Sequence, residues 1–477
     1  MSETLPRGWV TTKMEAILAT LDDGRLLSQG WSPRCHSESA QSEQDWAVLK
    51  TTAIQDGYFI PEENKKLPAE MTPRPNLEVR PGDLLITCAG PRRRCGIVCL
   101  VEATRGRLMI SGKMYRFRVP ERHVSSRYIA YFLRCGVTQE AIDGLKTGMS
   151  DSGLNLTHER FLGLPVLLAP FPEQRRIVAK IDSLSAKSRR ARDHLDHIPR
   201  LVEKYKQAIL AAAFRGELTR EWRQQHRVGG QWSTRSLEEL IDEGPTNGWS
   251  PKSGADASGA FTLKLTATTS GTLRLDHAAV KRIYEVPPPT SPYWLEPGDL
   301  LVQRSNTIEY VGAAAIFDGP CRTYIYPDLM MRIRIKDETN RLYVWRFLNS
   351  DEARRYFRER ATGTAGNMPK INGGTLRSLP VPLPSTVGER QQIVRRIDTA
   401  FTWIDRLAAD ATSARKLIDH LDQAILAKAF RGELVPQDPN DEPASVLLER
   451  IRAERQSAAR QRGSARRTSR SRIRLKE

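Results

Sequence analysis

The sequence predicts a mixed α+β (α/β) chain of two pseudo-repeated domains, each followed by a long helix, with the two helices packed as an antiparallel coiled coil. Two observations support this prediction. The stretch "AILAAAFRGELT" at 208–219 returns as "AILAKAFRGELV" at 424–435, an offset of 216 residues. The stretch "PGDLL" at 81–85 returns at 297–301 with the same offset. A fixed internal period of this kind indicates that one architectural unit is used twice.

The parts of the chain before each repeated helix are more variable. They contain short runs of β-forming residues that alternate with turns, and each holds a helical stretch, in the same order in both copies. We therefore expect one fold used twice, with a C-terminal basic tail that is disordered. The expected segments are variable domain 1 over 1–165, helical segment 1 over 166–228, variable domain 2 over 229–385, helical segment 2 over 386–437, and a C-terminal helix with the basic tail over 438–477.

The helical segments carry apolar residues at alternating steps of four and three. From Ile177 to Ala212, and again from Ile393 to Lys428, ten of eleven positions in this series are apolar. The spacing places them on one stripe, for which the simplest partner is the stripe of the other copy. Packing on the neighbouring variable domain is the alternative. As a helix, residues 173–213 would form a rod of roughly 60 Å, long enough to act as a spacer.

Three residues mark where these helices should bend or end. Pro199 interrupts only the first helix, and we expect a kink there because proline removes one backbone hydrogen bond. Gly216 and Gly432 come just after the apolar stripes, at positions where a left-handed cap residue is expected.

The composition favours a polyanionic partner. The chain has 74 Lys and Arg residues against 56 Asp and Glu residues, a net charge of +18. Residues 460–477 contain eight basic residues and one acid, so the tail supplies +7 and the body keeps +11. A basic body as well as a basic tail points to nucleic acid, with a plain solubility effect as the alternative.

Other features of the composition bear on the location of the protein. No apolar run reaches eighteen residues, and the first fifteen residues have no apolar core of the signal-peptide type. Six cysteines in 477 residues do not make a disulfide framework. We therefore expect a cytoplasmic protein with reduced thiols.

A search for catalytic motifs is largely negative. No G-x-G-x-x-G follows a predicted strand, and no Ser/His/Asp set can be assigned. Asp56, Glu63 and Lys65 have a spacing seen in metal-dependent nucleases, but the second copy lacks the triplet. We expect no catalytic residue and no metal ligand, and a stand-alone nuclease that uses this triplet stays open as the alternative.

Binding residues are expected in the loops that follow the two PGDLL strands, because the copies differ there. The loops read "AGPRRRCG" at 89–96 and "QRSNTIEYVG" at 303–312. Arginine can bind guanine through two hydrogen bonds, asparagine can bind adenine, and Lys and Arg bind phosphates. The candidate DNA-binding residues, in these loops and elsewhere in the variable domains, are Lys50, Arg92, Arg93, Arg94, Lys113, Lys146, Lys264, Arg304, Asn306, Asn367 and Lys370.

Taken together, these motifs resemble those of the DNA-specificity (S) subunits of type I restriction–modification enzymes. The resemblance covers about residues 5 to 456, with departures at "STVGERQQ", at Pro199 and in the basic tail. The matching motifs are "LP…PEQRRIV…ID" at 164–182 with its variant at 379–398, both copies of "AFRGEL" and "PGDLL", the TG turns at Thr147-Gly148 and Thr362-Gly363, and "DEPASVLLERIRAE" at 441–454.

The resemblance implies a specific function. Two target-recognition domains would each bind one half of a split double-stranded DNA site, and the helices would fix the gap between the halves. The helices would also dock two modification (methyltransferase) subunits, which use S-adenosylmethionine to methylate adenine. Restriction subunits would add ATP- and Mg²⁺-dependent translocation and cleavage, so this chain itself would bind no cofactor. A specificity subunit of a related restriction system stays open.

The resemblance also gives a role to the repeated helix ends. Two equivalent partner subunits require two equivalent surfaces, and "AFRGEL" is the stretch that is kept the same in both copies. Phe214, Arg215, Phe430 and Arg431 are therefore the expected partner-binding residues.

Overall fold

The computed structural model describes residues 5–254, 256–363 and 368–457. It divides the chain into two compact units: unit 1 joins Met1–His194 to Ala414–Glu477, and unit 2 is Leu195–Ser413. Each unit therefore contains one variable domain together with helical residues from both copies of the repeat. The unit boundaries fall inside the repeated helices, and each helical segment contributes to both units.

Among its described residues, unit 1 contains thirteen strands, four short helices and a helical stretch at 444–457, and it shares two long helices with unit 2. The strands are β1 Val10–Lys13, β2 Ser28–Gln29, β3 Ala47–Leu49, β4 Ile54–Gln55, β5 Tyr58–Phe59, β6 Asn64–Lys66, β7 Leu84–Thr87, β8 Ala89–Gly90, β9 Val98–Leu100, β10 Leu108–Met109, β11 Met114–Phe117, β12 Leu154–Asn155 and β13 Pro165–Leu168. The helices are α1 Met14–Ile17, α2 Ser126–Arg134, α3 Gly136–Leu145, α4 His158–Leu162 and the shared α5 Phe171–Asp196.

Unit 2 contains nine strands and is joined to unit 1 through its last helix. The first helices are α6 Ile198–Phe214 and α7 Arg220–Gln225. The strands are β14 Ser233–Ser236, β15 Glu243–Asn247, β16 Phe261–Leu263, β17 Val280–Arg282, β18 Leu300–Gln303, β19 Ala314–Ile316, β20 Tyr324–Ile325, β21 Met330–Arg334 and β22 Pro380–Leu383. The later helices are α8 Glu338–Leu348, α9 Asp351–Arg360, α10 Gly373–Arg377 and α11 Val387–Phe430.

The two units have the same sheet topology. A four-stranded sheet has the order β2-β11-β7-β9 in unit 1 and β15-β21-β18-β19 in unit 2. A three-stranded mixed sheet pairs β3 parallel with β10 and antiparallel with β6, and β16 pairs with β20 and β17 in the same way. The first strand of each domain pairs antiparallel with its last, β1 with β13 and β14 with β22. The prediction of one mixed α+β fold used twice is confirmed.

The repeated "PGDLL" stretch has a structural role in each unit. The buried carboxylates of Asp83 and Asp299 accept a hydrogen bond from the backbone N–H three residues earlier, at 2.8 Å and 2.9 Å. They also form ion pairs with Arg118 at 2.5 Å and Arg334 at 2.6 Å. A buried carboxylate requires such partners, since it is costly to remove from water unpaired. The motif therefore fixes the turn that starts β7 and β18.

The repeated helices end and break where the sequence predicts. Helix α5 ends one residue before His197, and α6 begins immediately after it with Pro199 in its first turn, where the missing N–H breaks no helical hydrogen bond. The corresponding α11 runs without a break for 44 residues. Gly216 and Gly432 have φ of +73° and +75°, the left-handed conformation expected after a helix end.

In unit 1 the two repeated helices make antiparallel contacts. Arg192, near the end of α5, pairs with Asp422 at 2.5 Å and Asp419 at 3.0 Å on α11. Ile177, in the second turn of α5, belongs to the same core as Ile425, near the end of α11. Moving forward along α5 therefore corresponds to moving back along α11.

Unit 2 has the same kind of contacts. Lys206 on α6 pairs with Asp405 on α11 at 2.5 Å, and its ammonium lies 5.1 Å from the ring centre of Phe401. Beyond the end of α6, the carbonyl oxygen of Leu218 accepts a hydrogen bond from Arg396, which lies earlier on α11. Both units thus show antiparallel pairing of the helices, and a continuous coiled coil through both units stays a prediction.

Each domain core is completed by the helix end that belongs to the other copy of the repeat. In unit 1 the Phe430 ring lies 5.3 Å from the rings of both Tyr128 and Phe132 on α2. In unit 2 the Phe214 ring lies 5.0 Å from the Phe347 ring on α8, with edge-to-face geometry. Aromatic pairs at such distances pack favourably beyond the apolar area that they bury.

The start of each "IV…ID" helix is bound to its domain by a carboxylate. Glu173 on α5 accepts a hydrogen bond from the Trp9 indole at 2.9 Å, and Glu389 on α11 binds Arg223 at 2.6 Å. Both carboxylates are buried, and desolvation raises the pKa of Glu173. The aspartates of the same motif bind the helix of the domain, as Asp398 does through Arg346 at 2.5 Å.

A further helix covers residues 444–457 and packs against unit 1. Its Glu454 lies 2.9 Å from the ring of His123, and its Arg455 donates a 2.8 Å hydrogen bond to the carbonyl oxygen of Glu15. The basic tail predicted beyond it lies outside the described residues.

Candidate nucleic-acid interface

In each unit, the loop after the PGDLL strand is held beside a hairpin that begins at a TG turn. In unit 1, β8 pairs antiparallel with β12, and Thr147 forms a bridge with Asn155. In unit 2, Lys370 forms bridges with both Ser305 and Thr362. We call these paired segments the loop face, which comprises 89–96 with 146–156 in unit 1 and 303–312 with 361–363 and 368–371 in unit 2. The loop face is the place where the same fold displays different sequences.

Arg92 is already paired with acidic residues of unit 1. Its guanidinium contacts Asp143 at 2.6 Å and Asp151 at 3.1 Å. Hydrogen bonds to Asp151 and Asp143 raise the pKa of Arg92. Both acids are close partners, so Arg92 holds the loop and hairpin together, and much of its charge is neutralised within the chain.

Lys146 is also held inside the loop face. Its side chain is only 6% exposed, and it donates to Asp143 at 2.7 Å and to the carbonyl oxygen of Arg92 at 2.9 Å. The structure therefore corrects the expectation that this ammonium contacts DNA, because the ammonium is enclosed and already has acceptors.

The three consecutive arginines of the first loop have different environments. Arg94 donates hydrogen bonds to the carbonyl oxygens of Thr51 at 2.5 Å and Ile54 at 2.8 Å, and it supports the short 3₁₀ turn between β3 and β4. Arg93 is exposed, and no side-chain hydrogen bond or ion pair involves it within the described part of the chain. Of the three, Arg93 is the one free to bind a phosphate or a base.

Three other candidate lysines, two in unit 1 and one in unit 2, differ in whether their side chains have a partner within the described residues. Lys113 is exposed and has no side-chain partner among the described residues. Lys50 lies 3.8 Å from Glu63, and Lys264 donates to the carbonyl oxygen of Ala278 at 3.2 Å. Lys50 and Lys264 precede equivalent 3₁₀ turns in the two units, so they are related by the repeat.

The candidates of unit 2 cluster around one buried glutamine. Gln303 is fully buried, and its amide oxygen accepts a 2.5 Å hydrogen bond from Asn306. The carbonyl oxygen of Arg304 accepts the N–H of Ile371 at 2.9 Å, which places Arg304 beside the hairpin of Lys370. The Lys370 side chain is exposed. The structure thus brings Arg304, Asn306 and Lys370 together.

Asn367, a further candidate, lies outside the described residues. Sequence reasoning missed Gln303, whose amide nitrogen binds the carbonyl oxygen of Leu265 at 2.8 Å and the Thr268 hydroxyl at 2.9 Å. The signal available was a glutamine at the end of an otherwise apolar strand.

The expected partner-binding phenylalanines require a correction. Phe214 and Phe430 are buried, at 4% and 6% exposure, inside the cores of unit 2 and unit 1. They have almost no surface to offer a second protein, so their repetition reflects packing within the chain. Arg215 and Arg431 are exposed and form ion pairs two residues away, with Glu217 at 2.8 Å and with Glu433 at 3.0 Å.

The helices carry a second repeated feature, which is an exposed apolar pair. One member of each pair, Tyr205 or Leu421, lies in the series that was predicted to pack as a stripe, so that prediction is wrong at these two positions. Leu201 and Tyr205 lie on α6 in unit 2, and Leu417 and Leu421 lie at the same offset of 216 on α11 in unit 1. All four are between 46% and 67% exposed. The signal was present in the sequence, since both apolar residues of the first pair have an apolar residue at the equivalent position of the second copy.

The residues of the alternative nuclease site are occupied by separate partners. Asp56 pairs with Arg134 at 2.7 Å, while Glu63 lies near Lys50. In the part of the chain that the structure describes, no group of three His, Cys, Asp or Glu side chains could hold a metal ion. Over the same residues, no helix has the length and apolar character that crossing a bilayer requires.

The repeated fold and the two unlike loop faces define a protein with two recognition domains joined through shared helices. No family model matches the chain. The chain is 30% identical to the type I restriction enzyme EcoDI specificity subunit of Escherichia coli, over 60% of this chain and 68% of that protein. It therefore belongs to the family of type I restriction enzyme specificity subunits.

Other comparisons agree with this assignment. The EcoEI specificity subunit of Escherichia coli is 40% identical over 37% of this chain, and the match covers only 29% of that relative. The StySPI specificity subunit of Salmonella potsdam is 26% identical over 94% of this chain and 96% of that relative. A chain from a solved type I restriction–modification system has the same fold, with a TM-score of 0.63 at 18% identity over 91% of this chain and all of that one.

The environments of Arg94 and Arg93 predict different effects of substitution. Arg94→Ala should lower the free energy of unfolding by about 1–3 kcal/mol, because it removes the hydrogen bonds of the guanidinium to the partly buried carbonyl groups of Thr51 and Ile54. Arg93→Ala, the matched control, should change it by less than about 0.5 kcal/mol. Urea denaturation of the two variants measures the difference, and equal stabilities would contradict the assigned roles.

Proposed function

We propose that this chain is the non-catalytic DNA sequence-specificity subunit of a type I restriction–modification complex. Each unit reads one half of a bipartite double-stranded DNA site, and the shared helices set the gap between the halves. The observation that supports this most is the pair of units with one topology and two different loop faces. The membership of this chain in the family of type I restriction enzyme specificity subunits also supports the proposal.

The loop faces are suited to reading DNA. Arg93 and Lys113 in unit 1, and Lys370 in unit 2, present exposed cationic side chains. Their scaffolds are fixed by internal hydrogen bonds, such as those of Arg94 and Gln303. A rigid scaffold with free polar and cationic groups can bind phosphates for position and base edges for sequence.

The exposed apolar pairs are suited to docking two copies of one partner. Leu201 with Tyr205, and Leu417 with Leu421, are equivalent in the repeat and lie in different units. Exposed apolar residues grouped on a helix mark sites of protein association. We propose that each pair docks one modification subunit, and that restriction subunits join the resulting complex.

The chemistry of the complex is proposed to occur on those other subunits. S-adenosylmethionine, ATP and Mg²⁺ would be bound there and used for adenine methylation and for ATP-dependent cleavage. The alternative of a stand-alone nuclease is not favoured, because Asp56 and Glu63 are engaged in separate ion pairs. A specificity subunit of a related restriction system would have the same architecture and differ only in its nuclease partner.

Mapping methylated adenines tests the proposed function directly. In cells that carry the modification subunit, adding this chain should create methylation at one bipartite sequence with an unread gap. Exchanging 303–312 for a relative's loop should change only one half of that sequence. A continuous recognition sequence, or methylation that does not depend on this chain, would contradict the proposal.

The proposed docking surface predicts a change in stoichiometry. Leu417→Asp with Leu421→Asp should leave one modification subunit bound in place of two, because a charge at an exposed apolar contact opposes its burial. Native mass spectrometry of the purified complex counts the subunits. Val137→Asp, another exposed apolar position of unit 1, is the control and should keep two. Two bound subunits in the double variant would contradict the assignment.

A further inference from the structure

Met149 stands out among the apolar residues of unit 1. Its side chain is fully exposed, at 106% of the reference value, and it has the largest exposure among the exposed large hydrophobic residues of the described chain. It follows the TG turn of the hairpin that belongs to the loop face. A side chain this exposed buries almost no apolar surface within unit 1, so all of it is available to a partner at the loop face.

The hairpin around Met149 is held in one conformation. Thr147 and Asn155 exchange two backbone hydrogen bonds, of 2.8 Å and 2.7 Å, at its base. The N–H of Gly153 donates to the carbonyl oxygen of Ser150 at 3.1 Å across the tip. Arg92 also binds the hairpin, because its own N–H donates to the carbonyl oxygen of Asp151 at 2.9 Å.

Gly148 allows the chain to make this turn. A Cβ atom at this position would lie 2.6 Å from the carbonyl oxygen of Gly153 and 2.8 Å from a methyl group of Leu154. The strands of the hairpin therefore approach each other more closely than a side chain at 148 would permit. The result is a hydrogen-bonded support at whose tip Met149 is exposed to solvent.

Exposed cationic groups lie on the loop face and directly beside it. Arg93 follows Arg92 in the turn that binds the hairpin. The turn of Lys113 is joined to the end of the hairpin through Cys88, whose N–H donates to the carbonyl of Lys113 and whose carbonyl accepts the N–H of Leu156, both at 2.8 Å. An apolar tip with cationic side chains beside it suits a duplex, because the cations meet phosphates while the tip meets bases.

We propose that Met149 is a specificity-determining residue of unit 1, whose side chain enters a groove of double-stranded DNA and contacts a base of the first half-site. Arg93 and Lys113 bind the flanking phosphates. The contact is apolar, as with a thymine methyl group, so it distinguishes one base from another without a hydrogen bond. This inference rests on the proposed function and names the residue through which unit 1 performs part of it.

The experiment compares variants of the whole chain in complex with modification subunits. Binding to the mapped target and to random duplex of equal length is measured by fluorescence anisotropy at several salt concentrations. Met149→Ala should weaken binding to the target roughly tenfold, in the range of one lost base contact. It should leave binding to random duplex and its salt dependence unchanged. Met149→Leu, which keeps the apolar volume, should retain most of the affinity.

Two further variants serve as controls for the Met149 substitutions. Lys113→Ala should weaken binding to target and to random duplex alike and reduce the salt dependence, as loss of a phosphate contact does. Val137→Ala, on an exposed apolar residue of α3, should change neither. Single-base replacements in the target should show that the loss with Met149→Ala is confined to the first half-site.

The outcomes separate this inference from the proposed function. If the wild-type complex does not prefer its mapped target over random duplex, the proposed function fails. If it does prefer that target and Met149→Ala binds target as tightly as wild type, only the role of Met149 is overturned. Equal weakening on target and random duplex would also overturn it, since that result describes a contact without base selectivity.

Discussion

The structure depends on the packing of two phenylalanines, each inside the domain that belongs to the other copy of the repeat. Phe214 ends a helix of the first copy and lies against Phe347 of the second domain, while Phe430 ends the helix of the second copy and lies against Phe132 of the first. Buried aromatic rings contribute several times more than surface ion pairs to stability. Each domain core therefore contains a phenylalanine from the helix of the other copy, and neither core is complete without both copies of the repeat.

This exchanged packing explains why the two copies share these motifs. The motif "IV…ID" binds each domain to the start of its own helix through Glu173 and through Asp398, and "AFRGEL" supplies the core residue. Most of the identity between the copies is therefore explained by contacts within the chain. The surface that we propose for the partner is the exposed pair on each helix, which includes Leu417 and its equivalent Leu201. The surface that we propose for DNA is the loop face, where the copies differ.

Much of the architecture was accessible from the sequence, because it is encoded in local patterns. The duplicated topology, the break at Pro199 and the left-handed caps at Gly216 and Gly432 follow from period, proline chemistry and glycine geometry. The roles of single side chains were less accessible. Lys146 was expected on DNA but is enclosed by Asp143, and which of the neighbouring arginines is free depends on acceptors about forty residues earlier in the chain. Such pairings arise from tertiary packing, which spacing along the sequence does not reveal.

Hydrogen exchange of the α8 helix in a Phe214→Ala variant tests the central claim most directly. Truncating a buried phenylalanine removes about 3–5 kcal/mol of packing, so amides of Glu338–Leu348 should exchange much faster than in wild type. Tyr205→Ala, an exposed aromatic position on the same helix as Phe214, should leave them unchanged. Unchanged protection in Phe214→Ala together with loss of the modification subunits would contradict the account and return Phe214 to a partner-binding role.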